Sequence, residues 1–139
     1  MKLSTKGRYG LRAMLEIAAH MGYGPLAMHI IAEKQGISER YLEQLLIPLK
    51  RTGMIKSVRG SQGGYILKRA PEDITVGDII RVLEGPIAPV DCVSELDPEA
   101  CSRWELCVTR KIWTEVRDSV SSVLDSYTLA DLVQESRKL

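Results

Sequence analysis

A chain of 139 residues with 45% apolar composition is long enough for one ordinary domain with an appendage, and that composition argues against wholesale disorder. It has no run of about 18 apolar residues to span a bilayer, and its opening M-K-L-S-T-K-G-R-Y-G lacks the apolar stretch of a signal peptide, so a cytoplasmic protein with reduced thiols and no membrane partner is expected. The net charge of +1 conceals polarity: residues 1–70 carry 12 Lys or Arg against 4 Asp or Glu, while residues 71–139 carry 7 against 14, which suits the front half to a polyanion.

Leu11, Met14, Leu15, Ala18 and Ala19 fall at helical spacing, and Gly22, Gly24 and Pro25 end that helix. A second helix is expected over 28–34, with Ile30, Ile31 and Ala32 inward. Gly36 then supplies a left-handed stop and Ser38 an N-cap, and Leu42, Leu45, Leu46 and Leu49 repeat at helical spacing. Pro48 kinks this third helix or marks its last turns. Two short helices about a tight Gly turn are the pattern of a helix-turn-helix. In that motif the early residues of the second helix approach base edges in the major groove. Here those are Ser38, Glu39, Arg40, Tyr41, Glu43 and Gln44. Arg suits guanine, Gln adenine, and Glu cytosine.

Next comes I-K-S-V-R-G-S-Q-G-G-Y-I-L-K-R, two strand-like runs around a Gly-rich turn. A hairpin after a helix-turn-helix is a wing. Its tip carries Arg59, Ser61 and Gln62, flanked by Lys56, Lys68 and Arg69, and Arg59 is placed to enter a minor groove. The G-K-[ST] ending of a nucleotide-phosphate loop is missing.

The segments K-x-S-T-K-G-R-Y-G-L-R-A-M, I-S-E-R-Y-L-E-Q-L-L, V-R-G-S-Q-G-G-Y, V-G-D-I-I-R-V-L-E-G-P-I and V-L-D-S-Y-T-L-A-D-L run in this order along nearly the whole chain. Together they resemble the Rrf-type winged-helix transcriptional regulators, the IscR/NsrR/CymR group. The resemblance implies a homodimer on double-stranded DNA. It implies base and phosphate contacts from Ser38, Tyr41, Glu43, Gln44 and Arg59, with Lys6 and Tyr9 in phosphate-facing positions.

Thr75-x-x-Asp78 opens a short helix that Gly85-Pro86 stops. After an acidic loop, Ile112, Val116, Val120, Val123 and Leu124 form an apolar stripe on a C-terminal helix, with Arg117, Asp118, Ser121 and Asp125 on the opposite face. The family likeness favours pairing of this helix with a second copy, with Trp113 as an anchor. Two reading heads then demand a roughly palindromic operator. The expected organisation is mainly α with a small β-hairpin. Residues 1–85 form a winged helix-turn-helix DNA-binding domain, 86–108 a linker and cysteine loop, and 109–139 a dimerisation helix and C-terminal tail.

All three cysteines, Cys92, Cys101 and Cys107, lie in that loop with spacing C-x8-C-x5-C. Three thiols in one loop suit iron–sulfur ligation or a redox switch; zinc is disfavoured because no C-x2-C pair occurs. The resemblance implies a 2Fe–2S or 4Fe–4S cluster on the three cysteines. The fourth ligand is unknown. Arg110 stands where relatives carry histidine, and Arg8 where another branch carries an acid. Acids of the loop, a residue of a partner subunit, a small thiol and water are candidates for that ligand. His20 and His29 are expected on helix surfaces or ends. In this reading the loop senses iron–sulfur, redox or nitrosative status and shifts the reading heads. The run R-V-L-E-G-P-I-A-P-V resembles the cysteine-metabolism repressors of the group, and that resemblance implies the alternative. Such a repressor answers to a partner enzyme of cysteine synthesis or to metal-free thiol oxidation. No Ser–His–Asp set, H-E-x-x-H or C-x-x-C is present, so no enzyme activity is expected.

Overall fold

The computed structural model describes residues 3–96, 98 and 101–139. Helix α1 spans Thr5–Ala19, α2 Met28–Gln35 and α3 Glu39–Arg51. Strands β1 (Ile55–Val58) and β2 (Gly64–Leu67) form an antiparallel hairpin. Helix α4 (Val76–Glu84) follows, then the cysteine loop with two short 3-10 turns, then α5 (Val108–Asp125) and α6 (Leu129–Arg137). The fold is mainly helical with one two-stranded hairpin, a winged helix-turn-helix followed by C-terminal helices.

The core follows the periodicity of the sequence with an exception: Ile30, expected inward, is 37% exposed, because Ile31, Ala32 and Gln35 form the buried side of α2. Ala13, Met14 and Ile17 of α1 meet Ile31 of α2 and Leu42, Leu46 and Leu49 of α3, all at most 2% exposed. Each such aliphatic side chain contributes roughly 1.5–3 kcal/mol by leaving water. Gly36, at φ +65°, makes the turn between α2 and α3, a conformation that costs a residue with a Cβ. Ser38 caps α3: its hydroxyl accepts from the Tyr41 amide at 3.1 Å. Pro48 sits in the last turn of α3, and the helix runs on to Arg51.

The wing is tied to the helices. Leu26 and Tyr65 exchange backbone hydrogen bonds of 3.0 and 2.9 Å, so the segment before α2 adds a short third edge to the hairpin. Val58 pairs with Gly64, leaving residues 59–63 as the exposed tip.

Two features extend the reading of the sequence. Helix α1 begins at Thr5, before its apolar stripe starts. The expected tail contains a helix, α6, opened by a second reciprocal cap of Thr128 and Asp131 that matches the one between Thr75 and Asp78. Leu129 and Val133 of α6 are buried in the winged-helix core. The Val76 amide donates to Tyr127 and the Leu129 amide to Ile74, each at 2.9 Å. Residues 129–137 therefore pack with the front of the chain, and α5 stands apart from them.

Candidate functional site

Most of the residues singled out for DNA are exposed. Lys6 is exposed on the first turn of α1 and Tyr9 half-buried behind it. Arg40, Glu43 and Gln44 are exposed on α3, and Ser38 is exposed at its cap. Arg59, Ser61 and Gln62 are exposed at the wing tip. Tyr41 faces α1. Its hydroxyl lies 3.2 Å from the Thr5 hydroxyl, and its ring meets Tyr9 edge-on, centroids 6.3 Å apart. The Arg12 guanidinium stacks over Tyr9 at 5.5 Å. Tyr41 thus joins the reading helix to the start of α1. Burial, with a smaller effect from the Glu43 carboxylate, holds the Tyr65 phenol above its usual range.

The start of α1 has an unusual anion. Its cap residue, Ser4, makes no side-chain cap bond, and its first turn holds no acid. Glu84, at the end of α4, fills that role: its Oε1 accepts from the amides of Ser4 (3.2 Å) and Gly7 (2.9 Å) and from the Ser4 hydroxyl. Sequence reasoning missed this contact because the partners lie 77 and 80 residues apart.

Across the molecule, the cysteine loop is fastened by an ion network. Arg81 of α4 binds both oxygens of Glu95 (2.9 and 2.9 Å) and both of Asp125 (2.6 and 2.9 Å). Glu95 also accepts from the Ser121 hydroxyl at 2.9 Å and the Ile87 amide at 3.1 Å. The Arg81 guanidinium, with help from the other two donors, holds the Glu95 carboxyl down at about 2. Arg81 itself is pushed up, chiefly by Asp125 and then by Glu95. Arg117 donates to the Val93 carbonyl at 3.0 Å. Arg117, Ser121 and Asp125 of the polar face of α5 therefore bond to the loop and α4, while Asp118 is exposed; of the apolar positions Ile112, Trp113 and Val123 are exposed and Val116, Val120 and Leu124 half-buried. Leu3, Ile80, Ile87, Val120 and Leu124 line an open groove of about 330 Å³ beside it.

The three thiols are free; Cys101 is exposed, and Cys92 and Cys107 are half-buried. Cys107 sits at the N-cap position of α5. The Thr109 hydroxyl, 3.3 Å from its sulfur, the backbone amides of Arg110 and Thr109, and the Arg110 charge hold this thiol below its usual range. The Arg110 guanidinium carbon sits over the Trp104 ring, 3.8 Å from its centroid. Among the described residues no three Cys, His, Asp or Glu side chains converge to hold a metal. Glu95, a candidate for the fourth ligand, is consumed by Arg81; Asp97 and Glu99 lie outside the described residues. His20 caps the end of α1, and His29 is exposed on α2. In this arrangement the described residues do not form a cluster-binding set.

Residues 3–135 match the model of the Rrf2 family, described as an iron-dependent transcriptional regulator. The chain is 50% identical over 132 residues to the HTH-type transcriptional regulator CymR of Bacillus subtilis, covering 95% of this chain and 89% of that protein. It is similar to the solved structure of CymR, the global cysteine regulator of B. subtilis, with a TM-score of 0.80, 48% identity, and 97% and 98% of the two chains covered. A Staphylococcus aureus CymR structure in an oxidised form gives a TM-score of 0.78 at 43% identity, covering 96% of each chain. The HTH-type transcriptional regulator IscR of Erwinia tasmaniensis is 39% identical over 139 residues, covering all of this chain and 82% of that protein.

Proposed function

The chain belongs to the Rrf2 family of DNA-binding transcriptional regulators, and from that premise we infer that it is a homodimeric repressor of cysteine-metabolism genes whose grip on its operator answers to the thiols of residues 92–107. The likeness to CymR supports the target class, and the oxidised form of one such relative supports a thiol signal. The observation that carries the reading is Cys107, a thiol at a helix N-terminus with a depressed pKa, in the loop that joins α4 to α5. A thiolate there attacks the O–O bond of a peroxide. One oxygen stays on sulfur as a sulfenic acid and the other leaves as hydroxide. Condensation with a second loop thiol then releases water and leaves a disulfide.

In this reading Arg40, Glu43 and Gln44 face base edges from α3, and Arg59, Ser61 and Gln62 reach the neighbouring groove from the wing. Lys6 and the Ser38 end of α3 meet phosphates, and Tyr9 and Tyr41 hold the two helices in register. The exposed apolar positions of α5 and the groove beside them suit a second copy of the chain. A partner enzyme of cysteine synthesis remains a compatible additional input.

The second reading is an iron–sulfur regulator, favoured by three thiols in one loop and by the family's description as iron-dependent. Reconstitution with iron and sulfide without air separates the two. The thiol reading expects no cysteine-dependent visible band and a loss of operator binding with peroxide that Cys107→Ser abolishes. A band lost on Cys→Ala substitution, with binding that follows it, establishes the cluster reading instead.

A further inference from the structure

We propose that α4 is the transmission element between the cysteine loop and the nucleic-acid face, with Arg81 receiving and Glu84 delivering as positioning residues. The inference deepens the proposed function and rests on it, because it names the path by which the loop acts on the grip.

Arg81 and Glu84 are three residues apart, so they lie on neighbouring positions of one side of α4. At the receiving end, Arg81 is bound through both oxygens to Glu95, three residues after Cys92, and to Asp125 of α5. The Arg81 side chain is 27% exposed and that of Glu95 21%, so the pair is partly shielded from water. Displacing one carboxylate leaves a half-shielded guanidinium short of partners, which costs more than losing a surface pair. Any rearrangement of the loop about Cys92 acts on this joint.

At the delivering end, α1 opens with Lys6 and Arg8 and without an acid, an unfavourable charge for the positive end of a helix dipole. Glu84 supplies the missing anion from a different element. The contact is close because α1 presents glycine there. A Cβ on Gly7 falls 2.7 Å from the Glu84 oxygen, and one on Gly10 overlaps Leu83 of the same helix. With no side chains as padding, movement of the end of α4 moves the first turn of α1. That turn carries Lys6 and Thr5, and Thr5 and Tyr9 meet Tyr41 of the reading helix. The path thus runs from Glu95 to Arg81 by paired hydrogen bonds, along α4 to Glu84, from Glu84 to Ser4 and Gly7, and from the adjoining Thr5 to Tyr41.

The test measures binding of a palindromic operator duplex by fluorescence anisotropy, in thiol reductant and after hydrogen peroxide. It compares wild type with Arg81→Met, Glu84→Ala and the double variant. Where peroxide changes wild-type affinity by about tenfold, each single variant should respond by about twofold or less, and the double variant no less than either. Glu84→Gln, which keeps an accepting oxygen but loses the charge, should respond between Glu84→Ala and wild type. A full response in either breaking variant overturns the inference. A second arm uses amide hydrogen exchange without DNA. Glu95→Gln should speed exchange at residues 5–8 while α2 and α6 keep their protection. Unchanged protection at residues 5–8 overturns the relay. This arm holds even if peroxide leaves wild-type binding unaltered, an outcome that refutes the thiol reading rather than the relay.

Discussion

Cys107 concentrates the residue-scale chemistry. Its thiol is held below the ordinary value of 9.0 first by the Thr109 hydroxyl and then by the Arg110 amide, so it carries more thiolate at neutral pH than an ordinary cysteine. Alkylation by iodoacetamide, followed by peptide mapping, should therefore show a rate-versus-pH midpoint for Cys107 below 9.0. Thr109→Val should move that midpoint upward and slow labelling at pH 7. On the DNA side, residues of different roles should fail differently. Gln44→Ala should cost about 1–3 kcal/mol on the preferred operator and relax discrimination at one base pair. Lys6→Ala should weaken all duplexes alike and reduce the salt slope by about 1. Anisotropy titrations at several salt concentrations read both.

At the scale of elements, the joint of α4, loop and α5 makes stability depend on acid. Glu95 has a folded pKa of about 2 against an ordinary 4.5, so its stabilisation is complete above about 4.5 and is lost as pH falls toward 2. Urea unfolding should show wild type losing stability across that window, with Glu95→Gln flatter there and about 1–2 kcal/mol less stable at pH 6. Gly10→Val should destabilise by about 1–3 kcal/mol in the same assay, because its side chain overlaps Leu83 where α1 meets α4. These elements were unequally legible in the sequence. The leucines of α3, the Gly36 turn and the Ser38 cap are local signals, and the helix-turn-helix follows from them. The start of α1 was hidden because its first turn has no apolar stripe and its anion comes from Glu84, 77 residues away from Gly7. Helix α6 lies in a segment that the sequence reads as a tail, although Thr128-x-x-Asp131 repeats the cap pattern of Thr75-x-x-Asp78, and its burial depends on α1, which no local window reveals. Glu95 reads in the sequence as a candidate ligand of the loop, and nothing local pairs it with Arg81 or Asp125; only the fold brings the three together.

For the whole molecule, the polarity of charge along the chain becomes a division of labour. The basic front half carries the exposed Lys6, Arg40 and Arg59, and the acidic back half supplies the carboxylates that fasten the loop and α5. The exposed Ile112, Trp113 and Val123 belong, in this account, at a two-fold interface. Ile112→Asp should shift sedimentation from dimer to monomer and weaken operator binding more than tenfold, because one reading head engages only one half-site. The most direct measurement of the central claim is the affinity of purified protein for a palindromic duplex recovered by selection from random-sequence DNA. It is compared with a scrambled duplex of equal length, in reductant and after peroxide. The account predicts a dimer that prefers the palindrome by at least about a thousandfold in reductant and loses much of that preference when the loop thiols are oxidised. Equal affinity for both duplexes under both conditions would contradict it.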